Sequence, residues 1–254
     1  MAAIPVPPAP ESVAEAPPLS EAARVVNTFF APSKTFTDLR RSANWWLPFL
    51  ISVIVSVAFV TVADQKVGFR QIAENTLRTQ PKQADQVESL PTDKREKNMQ
   101  FRTVLTKVIA YGFSAFILIW YVIVAAILLA TLKFGFGAKV KFKTLFALVV
   151  YASLPGILKA ILAGASLLAG VAGDAFTFQD PVATNPGYFV DAATNPVLHR
   201  FLSSFDIFEF WTMILGAIGI TCICKVKRAA AFAVVFGWFA VLVLIGVGAT
   251  ALFS

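Results

Sequence analysis

The chain has 254 residues, 57% of them hydrophobic, with a mean hydropathy of +0.71 and a formal net charge of +7 at pH 7. A soluble domain holds about 45–50% apolar residues even with glycine counted, so this composition excludes an ordinary soluble fold. The apolar stretches are continuous rather than alternating with a period of two, which excludes a transmembrane barrel. No basic stripe interleaves with aromatics in a soluble segment, so nucleic acid is not an expected partner.

Residues 1–18 are rich in Ala and Pro, with six prolines. Such a segment buries too little apolar surface to offset its ordering entropy and is predicted to be a disordered tail. From Leu19 the pattern turns helical. Leu19, Ala22, Ala23, Val26, Phe29 and Phe30 alternate with Glu21, Arg24 and Asn27, which predicts an amphipathic helix able to lie in the membrane interface. Pro32 interrupts it, and Ser33 is placed to cap a second short helix over Lys34–Arg41. Arg40 and Arg41 precede Trp45 and Trp46, and basic residues beside paired tryptophans mark a cytoplasmic headgroup boundary. Residues 19–44 are therefore expected to be cytoplasmic, amphipathic and interfacial.

Crossing the ~30 Å hydrocarbon core takes about 20 apolar residues of helix. Five segments qualify: Trp45–Ala63, Val108–Leu132, Thr144–Ala172, Ile207–Cys224 and Ala229–Phe253. Between the first two, residues 64–107 carry nine basic and six acidic residues and are expected to form a charged helical loop. Between the third and fourth, Ala-Thr-Asn-Pro occurs at 183–186 and again at 193–196, two turn signals that frame a compact loop. Asp206 and Glu209 stand three apart at the start of the fourth segment, in capping-box relation.

Charge sets the expected orientation. Arg24, Lys34, Arg40 and Arg41 precede the first span. Lys133, Lys139, Lys141 and Lys143 lie between the second and third, and Lys225, Lys227 and Arg228 between the fourth and fifth. The connection 173–206 instead holds Arg200 against Asp174, Asp180, Asp191 and Asp206. The positive-inside rule puts the N-terminus and the two short basic connections in the cytoplasm. No secretory signal is visible, since the first 20 residues hold no Lys or Arg and the first apolar run starts at Trp45. The fold expected is an all-α, multi-pass membrane bundle of five transmembrane helices with a cytoplasmic N-terminus.

Lys159 is the one charge near the middle of a span, and an ionisable residue there is a functional candidate. On a continuous helix, at ~1.5 Å per residue, it lies about 20 Å from either end of its span and roughly 15 Å in depth from Glu209. A local partner fits that count. Pro155 removes the backbone bond to the carbonyl of Tyr151, and a lysine one turn on leans back toward it. The other readings of Lys159, Pro155 and Tyr151 are a water-lined ion or solute path, and a contact with another protein or a lipid headgroup.

A second candidate site is the N-terminal segment. Phe29, Phe30, Phe36, Arg40, Arg41, Trp45 and Trp46 are the residues expected to dock on lipid or on another protein. Small residues four apart, such as Ala160 and Gly164, Ser166 and Gly170, or Ala169 and Gly173, allow close helix packing within the bundle or between copies. Gly216 and Gly219 serve the same end in the fourth span. Cys222, Cys224 and the single His199 cannot build a tetrahedral zinc site. No cofactor or metal is expected. No HExxH, GxSxG or phosphate-binding glycine loop is present, and the chain is not expected to be an enzyme.

Two segments carry a family resemblance: Asn27–Pro48, with Asn-Thr-Phe-Phe-Ala-Pro-Ser-Lys-Thr-Phe-Thr-Asp-Leu-Arg-Arg followed by Trp-Trp-Leu-Pro, and Val149–Pro155, Val-Val-Tyr-Ala-Ser-Leu-Pro. Together they resemble bacterial members of the Yip domain family, the Ypt-interacting membrane proteins. The resemblance covers about residues 24–253 and implies a five-helix membrane domain with a cytoplasmic N-terminus. In eukaryotic members it implies a link to Rab-type GTPases and vesicle formation. Their Asp-Leu-Tyr-Gly-Pro motif is missing before the first span here, which puts that link in doubt for this chain. What remains is a non-enzymatic membrane-organising or partner-recruiting scaffold, with a transporter or channel centred on Lys159 as the alternative.

Overall fold

The computed structural model describes residues 17–171 and 175–253. The described residues are all-helical, with five helices among them long and apolar enough to cross a membrane: Trp46–Lys66, Thr92–Gly135, Phe142–Leu168, Ile207–Cys224 and Arg228–Leu252. The expected tail, 1–18, lies outside the described residues up to position 16.

Two short helices come first, α1 (Glu21–Phe30) and α2 (Pro32–Asp38). Ser20 caps α1 by accepting from the Ala23 N–H. The second helix starts at Pro32, one residue before the expected cap Ser33, because proline suits the first helical position. The first span is α3 (Trp46–Lys66). Next come α4 (Phe69–Arg78), α5 (Pro81–Glu88) and α6 (Thr92–Ala130). The 39 residues of α6 make a rod of about 58 Å, so it crosses the bilayer and continues beyond it. The outer part carries α4, held by Arg70 to Glu96 at 2.8 and 2.9 Å. A small core of Ala73, Leu77, Val87 and Met99 fills the space between.

The third span is not one helix. It consists of α7 (Phe142–Ala152) and α8 (Pro155–Leu168), broken at Ser153 and Leu154. Pro155 is the cause: without an N–H it cannot continue α7, but it opens α8 at no cost. Tight bonds bridge the break, from Leu154 N–H to Tyr151 O at 3.2 Å and from Ile157 N–H to Leu154 O at 2.9 Å. Gly170 ends α8 in the left-handed conformation (φ 77°). Its N–H and that of Val171 return to Leu167 O and Ser166 O, which is a Schellman stop. Gly170 is thus a helix terminator rather than a packing residue.

The loop that follows carries α9 (Pro196–Ser203), and the last two spans are α10 (Ile207–Cys224) and α11 (Arg228–Phe253). Lys225 makes the turn between them at φ 53°. The main core lies where α7 meets α6, α10 and α2, around Leu145, Leu148, Tyr151, Ala125, Leu215 and Phe36. A second core joins α3 and α8 with Phe176 of the loop. The two ends of the bundle differ in character. One carries Lys133, Lys139, Lys141, Lys143, Lys225, Lys227 and Arg228; the other carries α4, α5 and α9.

The two glycines of α10 differ. A Cβ on Gly219 would stand 2.7 and 2.9 Å from Leu148 and 3.2 Å from Phe36, whereas one on Gly216 meets nothing within 4 Å. Gly219→Ala should therefore lower the thermal midpoint in detergent, by the ~1–3 kcal/mol typical of overpacking. Gly216→Ala should leave it unchanged or raise it, since Ala exceeds Gly in helix preference by about 1 kcal/mol. Equal effects at the two positions would contradict this packing.

Candidate functional site

Depth in the bundle can be read from side-chain contacts. Phe210 of α10 packs on Phe236 and Phe239, at ring separations of 6.2 and 5.8 Å. Those two residues lie near the middle of the 26-residue α11. The start of α10 is therefore well inside the bundle, not at its rim. Asp206 caps this buried end, taking the Phe208 N–H on Oδ1 at 2.9 Å.

Lys159 reaches Asp206, not the carbonyl of Tyr151. Its Nζ is 2.8 Å from Asp206 Oδ2, with the lysine side chain 22% and the aspartate 2% exposed. Thr184 from the loop donates its hydroxyl to the same oxygen at 2.5 Å. The Tyr151 carbonyl is already occupied by the N–H groups of Ser153 and Leu154. The depth count along an unbroken helix thus placed Lys159 too far from any acid. The real helix is interrupted at Ser153, α8 ends at Leu168, and α10 begins deep enough to present its cap. Asp206 was legible as a capping residue but not as a lysine partner, because only the fold shows that its helix starts at that depth.

The loop beyond this pair folds inward. Asp180 accepts from Asn185 Nδ2 at 2.8 Å and from Ser203 Oγ at 3.3 Å, and stands 3.1 Å from His199 Nε2. Thr184 and Asn185 are both buried. The loop between the third and fourth spans is thus tied to the bundle by side chains on both sides of the Ala-Thr-Asn-Pro turn at 183–186.

The N-terminal docking residues divide into two groups. Phe36 is fully buried against α7 and α10. Phe29 packs edge-on against Trp211 at 5.7 Å, and Trp45 packs against Phe146 at 5.0 Å and Phe49 at 5.8 Å. Phe36 belongs to the core, and Phe29 and Trp45, partly buried, pack against it. Phe30 at 85%, Trp46 at 52% and Val26 at 56% are exposed, as are Arg40 and Arg41.

The two helices form a hairpin closed by charge. Arg24 is 3% exposed and meets Asp38 at 2.7 Å, and it also donates to the Ser42 carbonyl at 3.0 Å. Thr28 and Thr35 both donate to the Arg24 carbonyl at 2.8 Å. At the open end, Glu21 accepts from Asn44 at 2.9 Å and from the Trp46 indole at 3.0 Å. At the tip, Phe29 lies against Trp211. The hairpin therefore runs from the first turn of α3 to the depth of Trp211, beside the spans. The two expected helices are thus packed against the bundle, through Phe29, Phe36 and Trp45. Arg24 read from the sequence as a surface charge; its partner Asp38 is 14 residues away, outside any local pattern. Tyr151 is fully buried beneath the hairpin, and its hydroxyl has no hydrogen-bond partner of good geometry although Arg24 is close enough to feel it.

The model of the Yip1 domain matches residues 26–249. The chain belongs to the Yip1 domain family. The match takes in both resemblance segments, the broken third span and the Lys159–Asp206 pair, so these features lie within the Yip1 domain. No curated protein and no solved structure matches the chain. This Yip1 domain protein is an integral, multi-pass membrane protein.

Removing one partner of a buried ion pair strands the other, at about 3–5 kcal/mol. Lys159→Met and Asp206→Asn should each lower the unfolding midpoint of the purified protein. The double variant should lose clearly less than the sum. Additive losses would mean that the pair contributes nothing as a pair.

Proposed function

We propose that this protein is a non-enzymatic membrane-organising scaffold of bacterial type, set in the cytoplasmic membrane with its N-terminus and basic connections in the cytoplasm. The observation that carries the reading is the hairpin of residues 20–44. Its inner face is locked by a buried ion pair and three aromatics in or against the core. Its outer face presents Val26 and Phe30 to whatever lies beside the bundle. At that depth the neighbour is acyl chain or an apolar helix of another membrane protein, and packing rather than water exclusion drives the contact. Arg40 and Arg41 sit at the foot of the hairpin, where basic residues gain about 1 kcal/mol each near anionic headgroups. Lys34, exposed on the first turn of α2, has a stem long enough to carry its ammonium back toward the same layer. The basic connections support the orientation by the positive-inside rule.

A photoreactive phenylalanine placed at position 30 or at position 36 tests this in intact vesicles. Position 30 is expected to crosslink to lipid or to a second protein, and position 36 only within the chain. Phe30→Ala should keep the wild-type melting point within ~0.5 kcal/mol, as for surface substitutions. Exclusive intrachain crosslinking at position 30 would end the docking reading.

The conduit alternative draws on the helix break and the ion pair at depth, features that transporters also use. Lys159→Cys in a Cys222→Ser, Cys224→Ser background should resist a membrane-impermeant maleimide under the scaffold reading. Robust labelling would favour a conduit instead.

A further inference from the structure

Glu209 is an ionisable side chain of α10 that the contacts described so far leave over. It lies one residue before Phe210 and therefore at the depth of the middle of α11. It is one helical turn from Asp206, on neighbouring surface of α10. Its carboxyl makes no hydrogen bond or ion pair among the described residues, while Lys159, within its electrostatic reach, is already held by Asp206 at 2.8 Å. The other titratable groups within its electrostatic reach are Asp206 itself and Tyr121 of α6.

The surroundings are open. Glu209 is exposed, yet on α10 it faces the same way as Gly216, two turns on, rather than with the outward-facing Ile207 and Ile214. Gly216 is buried, but a Cβ there meets nothing within 4 Å. Space is therefore free at Gly216, on the Glu209 face of α10. Gly156, at the start of α8, is exposed and likewise has nothing within 4 Å of its missing Cβ.

The charges do not balance. Lys159 and Asp206 cancel, and an ionised Glu209 would leave one negative charge at bilayer depth with no partner. Such a charge costs several kcal/mol, and a carboxyl removes that cost by taking a proton. We propose that Glu209 is a proton-binding site in the middle of the membrane, which holds its proton while Lys159 stays on Asp206. Loss of the proton would give Lys159 a second acid to answer. It would weaken the hold on Asp206, and with it the cap of α10 and the bond from Thr184. The site is independent of the scaffold reading and stands or falls on its own test.

A hydrophobic carbodiimide, dicyclohexylcarbodiimide, is the probe. It reaches carboxyls from the lipid phase and requires the protonated acid. The acid proton passes to a carbodiimide nitrogen, the carboxylate oxygen bonds to the central carbon, and the O-acylisourea rearranges to a stable N-acylurea. The full chain in native vesicles is treated across a pH series and mapped by peptide mass. The expected result is an adduct on Glu209 that declines as pH rises, with Asp206 unmodified. Glu209→Gln should abolish the adduct at unchanged melting temperature, and Glu209→Asp should restore it. In Lys159→Met, the adduct should appear on Asp206 as well. No adduct on Glu209 in folded protein would overturn the proposal, as would equal labelling of Asp206 in the wild type. Protection by sodium ions at constant pH would also overturn it, in favour of a bound metal cation.

Discussion

Inside a bilayer, no water is available to satisfy a backbone group that leaves its helix. The break at Ser153–Leu154 creates that problem in the third span, and much of the architecture answers it. Short-range bonds across the break take up the freed carbonyls of Tyr151 and Leu154. The start of α10 is placed deep enough for its cap, Asp206, to meet the lysine of α8. The hairpin of α1 and α2 covers α7 from the side, so that Tyr151 is fully buried.

Two buried ion pairs result, and they have different duties. Arg24–Asp38 closes the hairpin and is shielded almost completely, at 3% and 7% exposure. Buried pairs seldom add stability over apolar packing of the same shape, but they penalise alternative arrangements that separate them. In a segment as short as α2, seven residues long, that penalty sets where the hairpin folds back. Lys159–Asp206 joins a half-span to the next span and carries the loop through Thr184. It is the more open of the two, at 22% on the lysine.

The aromatic residues show how far a pattern can be read. Phe29, Phe30, Phe36, Trp45 and Trp46 looked alike in the sequence, as bulky apolar groups beside basic ones. The structure separates them because α1 and α2 face the bundle on opposite sides of their shared turn. Phe29 meets Trp211 and Phe36 fits against Gly219, while Phe30, one residue on, points away from the bundle. A rotation of about 100° per residue decides which of two adjacent phenylalanines packs against the core. That choice depends on where α10 lies, and no local signal in residues 19–44 contains it.

What the sequence alone determined is the class of solvent and the number of crossings. Continuous apolar runs of helical length have only one stable fate in a bilayer, and five of them are legible without a structure. Proline at 155 and glycine at 170 also act locally, yet the expectation from sequence is one continuous span with Gly170 as a packing residue, and the structure makes them a helix start and a helix stop. The partner of Lys159 and the fate of Arg24 could not. A charge in hydrocarbon is so costly that it must find a partner, but the cost is indifferent to which one. Tertiary packing chose Asp206 and Asp38, by bringing the capped end of a short span and the end of a short helix to within 3 Å of each cation.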